Sequence, residues 1–223
     1  FSKKGGSTLR VYQELSGFSE VVLKGGTTLV HTNAATSFVR GALAFNNGSL
    51  WLEPLLAVPG GAITLGGSEG AVAIRPGVNV MEIATNAANQ TVTVTLGTNV
   101  MRASGGVLAF NTTGGRSRFG NTVKILLPQD LTVNGMVPAY LSLYDNTATP
   151  RKTYTLLAYD AVQGLVPFTA FASNFSGGVT SVVRLASDTT ITTNVEAYAV
   201  QLDSGATVTI GSEIGRASCR ERV

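Results

Sequence analysis

One cysteine, Cys219, and one histidine, His31, are all the soft-metal and imidazole chemistry this 223-residue protein carries. A disulfide framework needs cysteine in pairs, and a tetrahedral zinc site needs several thiolates or imidazoles, so both are excluded. A Ser-His-Asp triad would have to use His31, yet no Gly-x-Ser-x-Gly elbow supplies its nucleophile. His31 therefore reads as a residue at a turn or strand edge. Charge is scarce too, at 13% of residues, and the basic side chains are scattered along the sequence. No cluster of them tracks a phosphate backbone, which argues against nucleic acid as a partner. No apolar run approaches the roughly 18 residues of a membrane helix. Nowhere do apolar residues recur at i, i+3, i+4, i+7 over three turns, so the chain is expected to be essentially helix-free. An initiator Met and an apolar signal core are both missing from Phe1-Ser2-Lys3-Lys4-Gly5-Gly6. The expectation is a chain that starts inside a longer one.

What is abundant is glycine, 26 residues, beside many Thr, Ser and Asn. The clearest stretch is residues 90–113, QTVTVTLGTNVMRASGGVLAFNTT. Val92, Val94 and Leu96 alternate with Thr91, Thr93 and Thr95, the period-2 signature of a half-buried strand. Gly97 ends it, Gly105-Gly106 offers a turn, and Val107 to Phe110 opens a second strand. Val92, Val94, Leu96, Leu108 and Phe110 are the expected inward face, and Gly105-Gly106 the expected corner. Similar strands are expected over 7–14, 20–24, 27–31, 38–45, 49–53, 62–65, 71–74, 78–83 and 123–127. Further on they are expected over 139–144, 154–159, 165–170, 179–185, 189–193, 195–202 and 206–210. Asn47-Gly48 carries the positive φ preference of a two-residue turn. Many short strands with glycine turns suit either a sandwich or barrel, or a β-solenoid of stacked rungs.

The polar residues offer little convergent chemistry. Glu14, Glu20, Glu53, Glu69 and Glu82 are dispersed, whereas lyase or glycosidase chemistry needs two positioned groups. Stacked rungs could still bring distant acids together. Asp130, Asp145, Asp160, Asp188 and Asp203 follow strands at separations of 15, 15, 28 and 15 residues. That spacing hints at a repeat whose strands end in register, with aspartate as a turn residue. A calcium ladder would need several oxygens on one ion, and these aspartates have no acidic neighbours. Gly-Gly pairs beginning at Gly5, Gly25, Gly60, Gly66, Gly105, Gly114 and Gly177 lack the Lys-Ser/Thr of a phosphate loop and read as corners. Trp51, Tyr140, Tyr144, Tyr154, Tyr159, Phe168 and Phe171 could form a sugar-stacking platform, but several alternate with apolar residues and read as packing. The glycosylation sequons at Asn47, Asn89, Asn111 and Asn174 read as turns. No catalytic, cofactor-binding or metal residues are assigned.

Residues 213–223, EIGRASCRERV, break the pattern. Five of these eleven residues are charged, against 24 of the preceding 212. This tail resembles a translated short-read sequencing adapter, one frame of which encodes it residue for residue. Residues 213–223 are therefore read as a non-native tail. Without them Cys219 is gone, and 13 basic and 11 acidic side chains remain.

The opening SKKGGSTLRV resembles a repeat unit of the autotransporter-associated β-strand family, the passengers of type V secretion. It departs from that unit in having Gly6-Ser7 where the glycines should be spaced. NQTVTVTLGTNVMRASGGVLAFNTT, LTVNGMVPAY, YTLLAYDAVQGLVPF and NVEAYAVQLDSGATVTIGS are similar to successive parts of a recurrent segment of the same passengers. The resemblance covers most of residues 2–212. It implies an all-β fold, a right-handed parallel β-helix, with residues 1–212 as a solenoid passenger fragment. It implies export to the cell surface, outer membrane or extracellular space through a C-terminal outer-membrane barrel. The implied role is a structural or adhesive stalk without catalysis. Its partners would be neighbouring rungs and, weakly, glycans or host and biofilm surfaces. The lack of cysteine fits passage through a narrow pore. A carbohydrate-active β-helix enzyme (lyase or hydrolase) and a β-sandwich carbohydrate-binding module remain the alternatives.

Overall fold

The computed structural model describes residues 1–12, 15, 17–32, 36–54, 61–65, 70–84, 91–113, 119–145, 153–203, 205–211 and 218–222. The protein is all-β, built mainly on parallel pairs, and divides into two compact units.

The first unit comprises Phe1–Leu131 with Tyr159–Val166. Its strands come in successive passes. The first pass is β1 (Ser2–Lys4) and β2 (Leu9–Val11). The second is β3 (Glu20–Lys24), β4 (Thr27–Thr32) and β5 (Thr36–Val39). The third is β6 (Ala42–Asn46), β7 (Ser49–Pro54) and β8 (Gly61–Leu65). The fourth is β9 (Ala71–Ile74), β10 (Gly77–Ala84) and β11 (Val92–Leu96). The fifth is β12 (Asn99–Arg102), β13 (Gly106–Thr113) and β14 (Val123–Leu126). From the second pass on, each visits the same three sheets in the same order, and the first is described in the first two of them. The first sheet runs β1-β3-β6-β9-β12, the second contains β2-β4-β7-β10-β13 in reverse, and the third runs β5-β8-β11-β14. All these pairs are parallel, and parallel neighbours need a long crossover between them. Thr27 lies opposite Ser49, Ser49 opposite Val80 and Val78 opposite Val107, steps of 22, 31 and 29 residues.

Register stacks like on like. Leu23, Phe45 and Ile74 are successive partners in the first sheet; Leu50, Met81 and Phe110 are so in the second, and Ile63, Val94 and Ile125 in the third. All nine are buried. Fully burying a side chain of this size contributes about 1.5–3 kcal/mol, so these columns are the main cohesive element of the unit. Val92, Val94, Leu96, Leu108 and Phe110 are all at 0% exposure, as their alternation with threonine predicts.

The corners depart from the sequence reading in two places. Residues 38–45 look like one strand, but the backbone leaves the third sheet after Val39 and enters the first at Ala42. Gly41 makes that bend. A Cβ there would collide with the Ser19 backbone of the pass below, and one on Gly70 would collide with Gly41. Asn47-Gly48 is not a hairpin either, because β6 and β7 lie in different sheets. Only Asn47 has positive φ (54°), and it turns the backbone from the first sheet to the second. Gly25, Gly77 and Gly105 occupy the equivalent corner of other passes, also at positive φ. The Gly105-Gly106 corner is as expected. β1 and β12 fall outside the sequence reading, since SKK and NVMR are too polar or too short to show alternation.

The second unit comprises Thr132–Ala158 with Pro167–Val223. Its pairing is mixed. β15 (Leu141–Asp145) and β16 (Thr153–Asp160) are antiparallel, with Ser142 opposite Leu156 and Tyr144 opposite Tyr154. After β17 (Gly164–Pro167) comes a short 3-10 segment at Phe175–Thr180, the one departure from strands and turns among the described residues. Asn174 starts it by accepting from the Ser176 N–H at 3.0 Å. Then β18 (Val182–Leu185), β19 (Thr189–Ile191), β20 (Glu196–Leu202) and β21 (Val208–Ile210) follow, with β18–β20 and β19–β21 parallel. Met136, Leu156, Phe168, Val182 and Ala199 share one core cluster. Inside the unit, buried Gln201 accepts the Leu156 N–H at 3.2 Å. β22 (Ser218–Arg222), within residues 213–223, pairs parallel with β20. Such pairing uses backbone groups alone and is tolerant of sequence.

Candidate functional site

Two of the five acids become neighbours: Glu53 and Glu82 share the outward phase of adjacent strands as a diagonal pair, about 8 Å apart at the backbone. Backbone register sets His31 opposite Glu53, and Glu82 between Trp51 and Asn111. Glu20 is held by Arg75, while Glu14 and Glu69 lie outside the described residues. Among the described residues, no three His, Cys, Asp or Glu side chains gather where a metal ion could sit.

Three of the aspartates serve turns and pairs. Asp160 accepts from the Val162 and Gln163 N–H groups, both at 2.8 Å, and these bonds, Gln163 first, hold its pKa below the ordinary carboxylate value. Asp188 accepts the Thr207 N–H, and Asp203 pairs with Arg184 at 2.8 Å. Their even spacing does not mark strand ends in register, because antiparallel pairing sends the C-terminal ends of β15 and β16 in opposite directions.

Two surfaces of the first unit are built by the stacking itself. On the first sheet, the residues alternating with the inward column are small: Ala42, Ala44, Ala71 and Ala73, beside Val22. Arg75, just past the end of β9, reaches Glu20 at the start of β3 with a 2.9 Å ion pair. Ala44, on this outward phase between the inward Leu43 and Phe45, is nevertheless fully buried. On the third sheet, Thr64 lies opposite Thr95, and Ala62, Thr93 and Lys124 are successive partners. Half-buried Thr64, Thr93 and Thr95 put hydroxyl groups on this face, beside Lys124.

Between those surfaces and the core sits a residue that alternation alone could have flagged. Asn79 occupies the inward phase of β10 with Met81 and Ile83, and is fully buried. Its Nδ2 donates to the carbonyls of Arg75, Gly77 and Val107, and its Oδ1 accepts the Gly48 N–H at 3.4 Å. One amide thus joins three consecutive passes at their common corner. The signal was a polar residue on the apolar phase of GVNVMEIA.

The seven aromatics do not assemble as one platform. Only Tyr154 among them is exposed. The structure joins Tyr144 to Tyr154 across the β15–β16 pair, with ring centroids 4.9 Å apart, and Phe168 to Phe171 edge-on, also at 4.9 Å. Arg184 lies over Phe171 at 5.6 Å, and its bond to Asp203 raises its pKa further. Tyr159 donates its hydroxyl to the Leu127 carbonyl, and half-buried Trp51 keeps its indole nitrogen inside. Tyr140 is half-buried. Of the sequons, Asn47 is a corner and Asn174 a cap, but Asn111 lies buried within β13 rather than in a turn. Asn89, Gly60 and the Gly-Gly pairs at Gly66 and Gly114 lie outside the described residues, while Gly61 opens β8. No protein-family model, curated protein or solved structure matches this sequence.

Proposed function

We propose that residues 1–212 are a right-handed parallel β-helix segment of a surface-displayed passenger, acting as a structural and adhesive stalk. One observation carries this reading: four successive passes through three parallel sheets in an unchanging order, preceded by a pass described in the first two, with inward residues stacked on like residues. Such an arrangement favours a repeating scaffold over a β-sandwich binding module, whose sheets pair antiparallel. Right-handedness follows the general rule for parallel crossovers. The autotransporter-like segments add the secretion route and the C-terminal outer-membrane barrel to the reading. Contact with glycans or host and biofilm surfaces would then be weak per site and multiplied along the repeated strands.

Beads carrying the protein at graded density test the role on polysaccharide and cell surfaces. Retention that rises steeply with density, with no release of sugar fragments, supports a multivalent stalk. Steady depolymerisation of the polysaccharide would support the β-helix lyase or hydrolase instead. Retention independent of density would point to a single-site binding module.

A further inference from the structure

Two Asn-Gly dipeptides occur in the sequence, Asn47-Gly48 and Asn134-Gly135. Asparagine before glycine is chemically labile, because glycine leaves its own nitrogen unhindered. That backbone nitrogen can attack the asparagine Cγ. A bond forms between the glycine nitrogen and Cγ, the bond from Cγ to the amide Nδ2 breaks, and ammonia departs, leaving a five-membered imide. Water then opens the imide at either carbonyl, giving aspartate or its backbone-shifted isomer, isoaspartate. No oxidant or enzyme is required.

The fold treats the two sites differently. Gly48 is buried, and its N–H donates to Asn79 Oδ1. Asn47 is itself exposed, but its amide abuts Gly77 of the next pass, where even a Cβ would collide with it. Both the nucleophile and its target are held by the neighbouring pass. Asn134 and Gly135 are both exposed, and both have positive φ, 54° and 76°. They form a two-residue hairpin turn closed by reciprocal bonds between Val133 and Met136, at 2.8 and 3.1 Å. Opening those two bonds frees the dipeptide to reach the cyclising geometry.

We propose that Asn134-Gly135 is a spontaneous deamidation and isoaspartate site, and that the same dipeptide at Asn47-Gly48 is protected by the fold. The isoaspartyl form is the substrate class of isoaspartyl methyltransferases. It also matters locally. Met136 belongs to the core cluster of the second unit, and isoaspartate inserts an extra backbone carbon two residues before it.

The test is a time course of the intact protein in mildly alkaline buffer, read by peptide mapping and by methyl acceptance with an isoaspartyl methyltransferase. A parallel course runs in strong denaturant. The expected result is conversion at Asn134 at least about tenfold faster than at Asn47 in the folded protein, a gap worth about 1.4 kcal/mol of local opening. In denaturant the two rates should converge. Folded-state rates within about threefold of each other, or a gap that persists in denaturant, would overturn the proposal.

Discussion

The two Asn-Gly dipeptides are a small version of a larger contrast between the two units. In the first unit, each corner rests on the corner of another pass, so a residue is judged by what lies a full pass away. Asn47 is constrained by Gly77 and Asn79, about 30 residues on in sequence and one strand away in space. In the second unit the Asn134-Gly135 turn is satisfied within four residues, Val133 to Met136. The first unit gains order from stacking, the second from local hairpins and short parallel pairs. Substitutions should therefore propagate in one and stay local in the other.

The largest effect should come from emptying a stacked column. Phe45 sits between Leu23 and Ile74 with no exposed surface. Phe45→Ala should cost about 4 kcal/mol in urea unfolding followed by Trp51 fluorescence. Hydrogen exchange should loosen in β3 and β9 as well as in β6. Loosening confined to β6 would break the comparison.

Next comes the polar link. Asn79→Ala strands the Gly48 N–H and removes the donor to three carbonyls. A loss of about 2–3 kcal/mol is expected, with faster amide exchange at Gly48. A change below about 0.5 kcal/mol would mean that water replaces the amide without cost.

The corner glycines sharpen the contrast within the first unit. Gly77→Ala meets both a φ of 105° and the Asn47 side chain, and should cost about 3 kcal/mol. Gly105→Ala has nothing within 4 Å and should cost about 1 kcal/mol, the left-handed backbone penalty alone. Equal losses in thermal unfolding would show that stacking adds nothing at Gly77.

The smallest effect is a turn that titrates. The folded pKa of Asp160 is depressed, so its contribution is present above the ordinary value of 3.8 and is lost as pH falls through the folded pKa. The difference in melting temperature between the native protein and Asp160→Asn should be constant at neutral pH and shrink below 3.8. A difference that grows in acid would contradict the assignment.

How far the fold was legible follows the same division. Val92, Val94, Leu96, Leu108 and Phe110 declared their burial because alternation is a property of a few adjacent residues. Asn47-Gly48 misled because a dipeptide states which φ it tolerates, not whether the next strand joins the same sheet. At Asn134-Gly135 the same pair does close a hairpin. The split at Gly41 was hidden because its cause, the Ser19 backbone, lies in the preceding pass. The 15-residue aspartate spacing suggested a period, yet steps of 22, 31 and 29 show that corners vary while strands stay in register. Asn79 was readable in principle as the one polar residue on the apolar phase of GVNVMEIA.

Disulfide trapping tests the stacked passes most directly. Thr64 and Thr95 are partners on parallel neighbours, 31 residues apart in sequence. Parallel strands lie about 4.8 Å apart, within the Cα range a disulfide spans, whereas a diagonal neighbour such as Thr93 is about 8 Å from Thr64. In a Cys219→Ser background, Thr64→Cys with Thr95→Cys should oxidise rapidly and preserve the fold, and Thr64→Cys with Thr93→Cys should not. Failure of the first pair, or equal trapping of both, would contradict the register on which the stacked passes rest.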